Sequence, residues 1–478
     1  MYIGLDLGTS SLKAILVDDT QQVLAEHSVP MTVTRPHDGW SEQDPEQWED
    51  AVHTAMGALG AKADLSAVRG IGLAGHMHGA TLIDSADNVL RPCMLWNDTR
   101  AADQAAAFDE QPQFRDVTGN IVFAGFTAPK VEWVRQNEPQ VFERIAKVLL
   151  PKDYLRLVLT GEHVAEMSDA AGTSWLDVAK RDWSDDLLAA TGLTRAQMPR
   201  LVEGAEVSAV VRPSLAQAWG LPANVVVAGG GGDNAASAIG AGVVRKGDAF
   251  LSLGTSGVLF AASDAYQPDA ASAVHTFCHA VPDTWHQMGV ILAATDALNW
   301  LSRLTGQSAA ELTSDLGAVQ APSRTLFLPY LGGERTPHNN ADMRGQFLHL
   351  DHATGAKAAA RAVLEGVAYA FADNLAALRS TGTQIDAALA TGGGAKSHYW
   401  LEVIASTLGI SLNVPASGDF GAALGAARLG MMAATGAGIE IATMPNIAKT
   451  IDPNSTHAAA FADGHACYRA AYRVLKEL

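Results

Sequence analysis

Apolar positions along the chain alternate between short strand-like runs and longer stretches at helical spacing. Runs at 2–5 and 14–17 flank Leu7-Gly8-Thr9-Ser10, and the arrangement returns half a chain later, where runs at 249–251 and 258–261 flank Leu253-Gly254-Thr255-Ser256. Each copy predicts a strand, a tight turn and a second strand. Trp48, Val52, Ala55, Met56 and Leu59 recur at helical spacing behind Asp44-Pro45-Glu46-Gln47, which reads as an N-cap, a proline at the first helical position and a glutamine at the third. Residues 69–74 predict a buried strand ending in Gly75-His76-Met77-His78-Gly79, where an α/β sheet usually places ligand-binding residues. In the second half, Leu364, Val367, Ala368, Phe371, Leu375 and Leu378 mark a long amphipathic helix, followed by an apolar run at 387–390 and Thr391-Gly392-Gly393-Gly394. Hairpin, helix, strand and glycine-rich turn thus occur twice in the same order. The pattern predicts two similar α/β domains, 1–245 and 246–478, with a cleft between them, and residues 100–220 must supply additional elements to the first.

Composition narrows the partners. With 48% hydrophobic and 18% charged residues, the 478-residue chain can fill the cores of two large domains or three smaller ones and lacks the signature of a disordered sequence. A net charge of −18 is the wrong sign for wrapping a phosphate backbone or an anionic lipid surface, which argues against nucleic acid and membrane partners. A nucleotide stays compatible, because backbone N–H groups hold phosphates without many lysines. Cys93, Cys278 and Cys467 are odd in number, far apart and without a CxxC pair, so a reducing cytoplasm is the expected compartment. The N-terminus lacks a basic segment followed by a long apolar one, and the uncharged stretch at 214–232 is broken by Gln217, Pro222, Asn224 and its glycines; neither reads as a signal or a membrane span. His275 and His279 lie close to Cys278, but no second ligand cluster accompanies them, and packing is their expected role.

Two Gly-Thr-Ser turns, one per domain, can face each other and present the N–H groups and hydroxyls of Gly8, Thr9, Ser10, Gly254, Thr255 and Ser256 to opposite sides of a triphosphate. Neither a Walker P-loop nor a Rossmann glycine fingerprint occurs. Lys13 adds a positive charge just beyond the first turn. Asp6 ends the first strand directly before it, where a carboxylate can hold the hydration shell of a Mg²⁺ bridging nucleotide phosphates. An apolar run at 225–228 leads through Gly229, Gly230, Gly231 and Gly232 to Asp233-Asn234, at the start of a small-residue helix. Asp233 serves there either as an N-cap or as a general base; beside a double phosphate clamp, a carboxylate poised to take a hydroxyl proton is what a small-molecule kinase requires. Gly392, Gly393 and Gly394 fit a flat surface for adenine or ribose, and Trp96, in Trp96-Asn97-Asp98-Thr99-Arg100, offers an aromatic face to a sugar.

These residues resemble the FGGY carbohydrate kinases of the actin, Hsp70 and sugar kinase superfamily, and the resemblance runs nearly end to end. Gly125-Phe126-Thr127-Ala128-Pro129-Lys130-Val131-Glu132-Trp133-Val134 is similar to the family's first signature and residues 344–365 to its second. Residues 6–13 resemble its first phosphate loop, 252–257 its second, and 391–397, with Lys396, its adenosine segment. Gly75-His76-Met77-His78-Gly79, Trp96-Asn97-Asp98, Leu150-Pro151-Lys152-Asp153-Tyr154, Ser168-Asp169-Ala170-Ala171-Gly172-Thr173 and Gly333-Glu334-Arg335-Thr336-Pro337-His338-Asn339 resemble members that act on a ketopentose. The resemblance implies two actin-like (ribonuclease H-like) domains, ATP and Mg²⁺ as cofactors, sugar contacts at Met77, His78, Asp233 and Asn234, and Asp233 as the base. The expected reaction is phosphorylation of a primary hydroxyl, with D-xylulose as the expected acceptor and ribulose, glycerol or gluconate as alternatives; a homodimer is one assembly open to it. A nucleotide-gated binding protein of the same superfamily would need a separate partner-binding domain, yet the second clamp and the adenosine segment occupy the second half. His349 departs from the second signature, which usually has glycine there.

Overall fold

The computed structural model of the protein describes residues 1–418 and 421–477, so Leu478, the last residue of the expected second domain, lies outside them. The first half is built from β1 (Tyr2–Leu7), β2 (Ser11–Val17), β3 (Val23–Pro30), α1 (Glu46–Gly60), β4 (Gly70–Gly75), α2 (Pro151–Thr160), β5 (Val207–Val210), β6 (Val226–Ala228), the short β7 (Gly231–Gly232) and α3 (Asp233–Ala241). The second half contributes β8 (Ala249–Leu253), β9 (Gly257–Ser263), β10 (His275–Cys278), β11 (Trp285–Ile291), α4 (Ala356–Ser380), β12 (Ala387–Thr391), β13 (Ser411–Pro415), α5 (Ala422–Thr435), β14 (Ile447–Ile451) and α6 (Ala458–Leu475). One sheet runs β5-β6-β4-β1-β2-β3, with β7 also on β4; the other runs β10-β11-β9-β8-β12-β13-β14. Aligned on β1 and β8, the two orders coincide over six strands, with two antiparallel neighbours on one side and, on the other, two parallel strands followed by an antiparallel edge strand; the second sheet adds β10, antiparallel, beyond β11. This is the expected pair of actin-like α/β domains.

The periodicity of α1 decides its packing: Trp48, Val52, Ala55, Met56 and Leu59 share a cluster with Ile3, Leu5 and Leu7, which alternate on one face of β1. The start of α1 differs from the expectation. Pro45 occupies the cap position, Asp44 Oδ1 accepts from Glu46 N at 3.1 Å, and Gln47 turns away from a capping role. Its Oε1 accepts instead from Thr32 N (3.1 Å) and Thr32 Oγ1 (3.0 Å), because the chain leaving β3 brings two donors within reach of this one oxygen.

The opposite face of β1 receives a helix from the other half of the chain. A Cβ on Gly4 would lie 1.9 Å from Ala423 O and one on Gly72 1.7 Å from Ala426 O, so only glycine lets α5 settle backbone to backbone on β1 and β4. Where α5 crosses α3, Gly425 meets Ala236 O just as closely. In return α3 places Ala238 and Ala241 in the cluster that holds Phe250, Phe260 and Leu389 of the second sheet. Each half thus lends a small-residue helix to the other. The segment between β4 and β5 carries the additional elements expected in the first half, α2 among them. His349 has φ +59°, the left-handed region that favours glycine. Among the described residues, no helix is long and apolar enough to cross a membrane.

Candidate active site

The turn after β1 closes through Gly8 N–H donating to Ser11 O at 3.0 Å, which leaves Thr9 half-buried and Ser10 exposed. Thr9 is held at two points: its carbonyl accepts from Gln43 Nε2 at 3.2 Å and its hydroxyl from Trp96 Nε1 at 3.1 Å. Trp48 Nε1 fixes Gln43 in turn, at 2.8 Å. Asp6 sits opposite Lys13 in the β1–β2 register, on the strand face away from α1. It lines a cleft of about 470 Å³ together with Lys13, Glu26 and the first turn of α5. Burial, then repulsion from Asp233, push the Asp6 carboxyl up to about 6. Lys13 is engaged by Glu26 at 3.0 Å rather than standing free.

β7 pairs with β4 through Gly231–Ala74 and Gly232–Gly75, so Asp233 emerges at the strand end that also presents Met77. Gly232 occupies the cap position of α3. Asp233 makes no cap; its Oδ1 accepts from Asn234 N at 2.7 Å and from Asn234 Nδ2 at 2.9 Å. The helix N-terminus favours the ionised form, yet burial outweighs it and pushes the Asp233 carboxyl up to about 6.

A buried charge cluster lies beneath this glycine turn. Arg156 of α2 donates to Ala228 O and Gly229 O at 2.5 Å each and to Ser208 Oγ at 2.7 Å. Ser168 Oγ accepts from Gly232 N at 3.0 Å. Lys152 Nζ meets Asp153 at 2.8 Å, Asp169 at 3.3 Å and Glu166 at 3.6 Å, and all of these side chains are fully buried. Two cations face three carboxyls, and burial raises Asp169 well above the usual range while Lys152 opposes the rise. The cluster grips the backbone from which Asp233 projects.

Met77 is buried against Gly232 and Gly172. His78 Nδ1 lies 2.7 Å from Gly172 O. A carbonyl only accepts, so Nδ1 carries the proton and Nε2 is left as an acceptor. Burial holds His78 down at about 3, which keeps it neutral. The ring stacks on Phe126 at 4.5 Å, and the His78 carbonyl accepts from Lys130 Nζ at 2.9 Å and Thr127 Oγ1 at 3.2 Å. Lys130 also donates to Gly125 O at 2.6 Å, and burial pushes it down to about 7. Trp96, 49% exposed, forms the rim between the Thr9 turn and Gly125.

On the facing wall, Gly254 O accepts from Thr295 N (2.9 Å) and Thr295 Oγ1 (2.8 Å), and Thr255 O accepts from Ala294 N at 2.8 Å. The side chains of Thr255 and Ser256 are exposed. Gly392, at φ +87°, backs onto Leu253 and Gly254; Gly393 opens to free space and Lys396 is exposed. A cavity of about 180 Å³ lined by Asn234, Ser252 and Thr391 joins this wall to the residue beside Asp233. The residues singled out from the sequence therefore form two walls, with Asp6, Gly8, Thr9, Ser10, Met77, His78, Trp96, Asp233 and Asn234 on one and Gly254, Thr255, Ser256, Gly392, Gly393, Gly394 and Lys396 on the other. The functions of Arg156, Lys152, Lys130 and Ser168 were not legible beforehand. The one available hint was Lys152, Asp153 and Arg156 interleaved with Leu155, Leu157 and Leu159, charges in a helix otherwise patterned for burial.

Duplicated actin-like halves with a Gly-Thr-Ser turn from each wall and a carboxyl pair on one of them define an ATP-using sugar kinase. Residues 1–240 match the N-terminal domain and 249–434 the C-terminal domain of the FGGY family of carbohydrate kinases, and the chain belongs to that family. It is 51% identical to the xylulose kinase of Escherichia coli (strain K12) over 91% of this chain and 90% of that protein. With the xylulose kinase of Bacillus subtilis (strain 168) it shares 37% identity over 91% and 88% of the two chains. A crystal structure of a "xyloylose kinase" from Brucella ovis superposes with a TM-score of 0.99 at 56% identity, over 100% of this chain and 99% of that one. A gluconate kinase from Lactobacillus acidophilus superposes with 0.92 at 25% identity, over 99% and 97%.

Proposed function

We propose that the protein transfers the γ-phosphoryl group of ATP to the C5 hydroxyl of D-xylulose, giving D-xylulose 5-phosphate and ADP. The observation that carries this reading is the Asp233 carboxyl, raised to about 6 and set with Asn234, Met77 and a neutral His78 at one strand end. The xylulose kinase relatives support D-xylulose as the acceptor. In the transfer, a lone pair of the C5 oxygen forms the new bond to the γ-phosphorus, the bond from that phosphorus to the bridging oxygen breaks, and ADP leaves. The hydroxyl proton passes to Asp233, which is ionised at neutral pH yet basic enough to take it. His78 Nε2 accepts from a sugar hydroxyl, Asn234 and Met77 shape the adjoining wall, and Trp96 borders it. Gly8, Thr9 and Ser10 approach the phosphates from one side and Gly254, Thr255 and Ser256 from the other, while Gly392, Gly393, Gly394 and Lys396 face the adenosine.

The site suits Mg²⁺. Asp6 and Asp233 are close enough to repel, and Lys13, the cation nearest Asp6, is engaged by Glu26, so the pair has room for a positive charge. Asp6 would hold the ion through water, and the bound ion supplies neutralisation of phosphate charge. The halves 1–245 and 246–478 close about the crossing of α3 and α5, which excludes water from the transfer. Free thiols at Cys93, Cys278 and Cys467 support a reducing, cytoplasmic setting. An ADP-coupled assay over D-xylulose, ribulose, fuculose, rhamnulose, glycerol and gluconate tests the acceptor: kcat/KM should be highest for D-xylulose, and a higher value for any other member overturns that assignment.

A further inference from the structure

We infer that Arg335, from the second half of the chain, is a sugar-binding residue whose guanidinium reads the oxygens at the C1–C2 end of the ketopentose, an inference that rests on the reading of the protein as a xylulose kinase. The Arg335 guanidinium lies over the Phe123 ring, 3.8 Å from its centroid. Phe123 meets Phe126 edge-on at 5.5 Å and His275 at 5.4 Å, and Phe126 stacks on His78. A half-buried cation on an aromatic wall is commonly paired with a carboxylate. Among the described residues, the Arg335 side chain forms no hydrogen bond and no ion pair. Its neighbour Glu334 is turned away: Oε1 accepts from Leu292 N at 3.1 Å and from Arg335 N at 2.7 Å. Burial pushes Glu334 up to about 8, so it is mostly uncharged at neutral pH. The guanidinium therefore has its donors free of protein partners among the described residues and open to a ligand.

The position along the wall selects the acceptor. Asp233 marks the reacting C5 end, and from there Gly232 touches Met77, His78 follows it, Phe126 stacks on His78, and Phe123 carries Arg335. With C5 at Asp233 and the sugar running past Met77 and His78, the proposed pose turns the C1–C2 end toward Arg335, whose charge is felt at His78. That end carries a ketone oxygen, which can only accept, next to a hydroxyl oxygen that can also accept. The guanidinium is a fork of donors with no acceptor, the complement of such a pair, whereas His78 Nε2 is an acceptor and suits a hydroxyl. Because Arg335 belongs to the second half and Asp233 and His78 to the first, the sugar also ties the two walls together.

Arg335→Met and Arg335→Lys, assayed with D-xylulose, its 1-deoxy analogue and its 3-deoxy analogue, test this. Losing hydrogen bonds from a charged donor should lower kcat/KM for D-xylulose by roughly 10- to 200-fold in Arg335→Met, with the KM for ATP within about threefold of wild type. The penalty for removing O1 should be large in wild type and nearly absent in Arg335→Met, while the 3-deoxy penalty stays the same in both. Arg335→Lys, which keeps the charge over Phe123 but not the fork, should recover only part of the loss, and it serves in place of Arg335→Met should that variant not fold. An unchanged O1 penalty in a folded variant, or a loss of kcat/KM below about threefold, overturns the role of Arg335. Wild type inactive on D-xylulose would overturn the proposed function instead, so the two failures are distinguishable.

Discussion

Asp233→Asn removes a charge and keeps a shape, and its two effects have opposite signs. The asparagine oxygen can accept from Asn234 N and Asn234 Nδ2 as the carboxylate does, at 2.7 and 2.9 Å, so the turn has no reason to move. Burial raises the carboxyl from 3.8 to about 6. At about 1.4 kcal/mol per pH unit, ionised Asp233 costs the folded state about 3 kcal/mol, and discounting for partial solvent access leaves a stability gain of about 2 kcal/mol for the variant. The folded state holds the proton more tightly than the unfolded chain, so wild-type stability falls as pH rises from about 4 to about 6 and levels off above. The gain should thus be full at pH 8 and should shrink as the pH is lowered toward about 4. Activity goes the other way. Without a proton acceptor kcat should fall by roughly 10² to 10⁴, while wild-type kcat/KM keeps an acid limb with a midpoint of about 6. Urea unfolding with EDTA and no nucleotide gives the stability arm, and an ADP-coupled assay gives the kinetic arm. A folded variant that retains more than about a tenth of the activity, or that is less stable than wild type at pH 8, would refute the argument.

Further expectations follow from the same geometry. Arg156→Lys keeps the charge but loses the fork on Ala228 O and Gly229 O; urea unfolding should show a loss of roughly 2–4 kcal/mol, with kcat lowered more than the KM for ATP, and unchanged stability would contradict the buried cluster as a support. His349→Gly relieves a left-handed backbone worth about 1–2 kcal/mol against a glycine entropy cost of about 0.5–1 kcal/mol, so stability should rise by up to about 1.5 kcal/mol, and a decrease would contradict the strain. Raising Mg²⁺ should move the acid limb of the rate profile to lower pH, since a cation favours the charged carboxyls; a limb indifferent to Mg²⁺ would count against Asp6 and Asp233 as its site.

The hairpins, α1, the strand before Met77 and the strand–glycine–Asp233 turn could be read from the sequence because turn chemistry and hydrophobic period are local properties, and the duplicated Gly-Thr-Ser turn declared the two halves. Residue identity also singled out Asp6 and Asp233, with the family resemblance pointing to Met77 and His78. It could not say which face α5 would cover, since that depends on Gly4 and Gly72 being flat where a distant helix arrives. It misjudged Gln47 because Thr32, brought close by the exit from β3, competes for the same oxygen. It was silent on the raised carboxyls of Asp6 and Asp233, on the floor of Arg156, Lys152 and Asp169, and on Arg335 over Phe123. These depend on burial and on charges summed over segments far apart in sequence. Such sums exist only once the chain has folded and water has been removed from around each group.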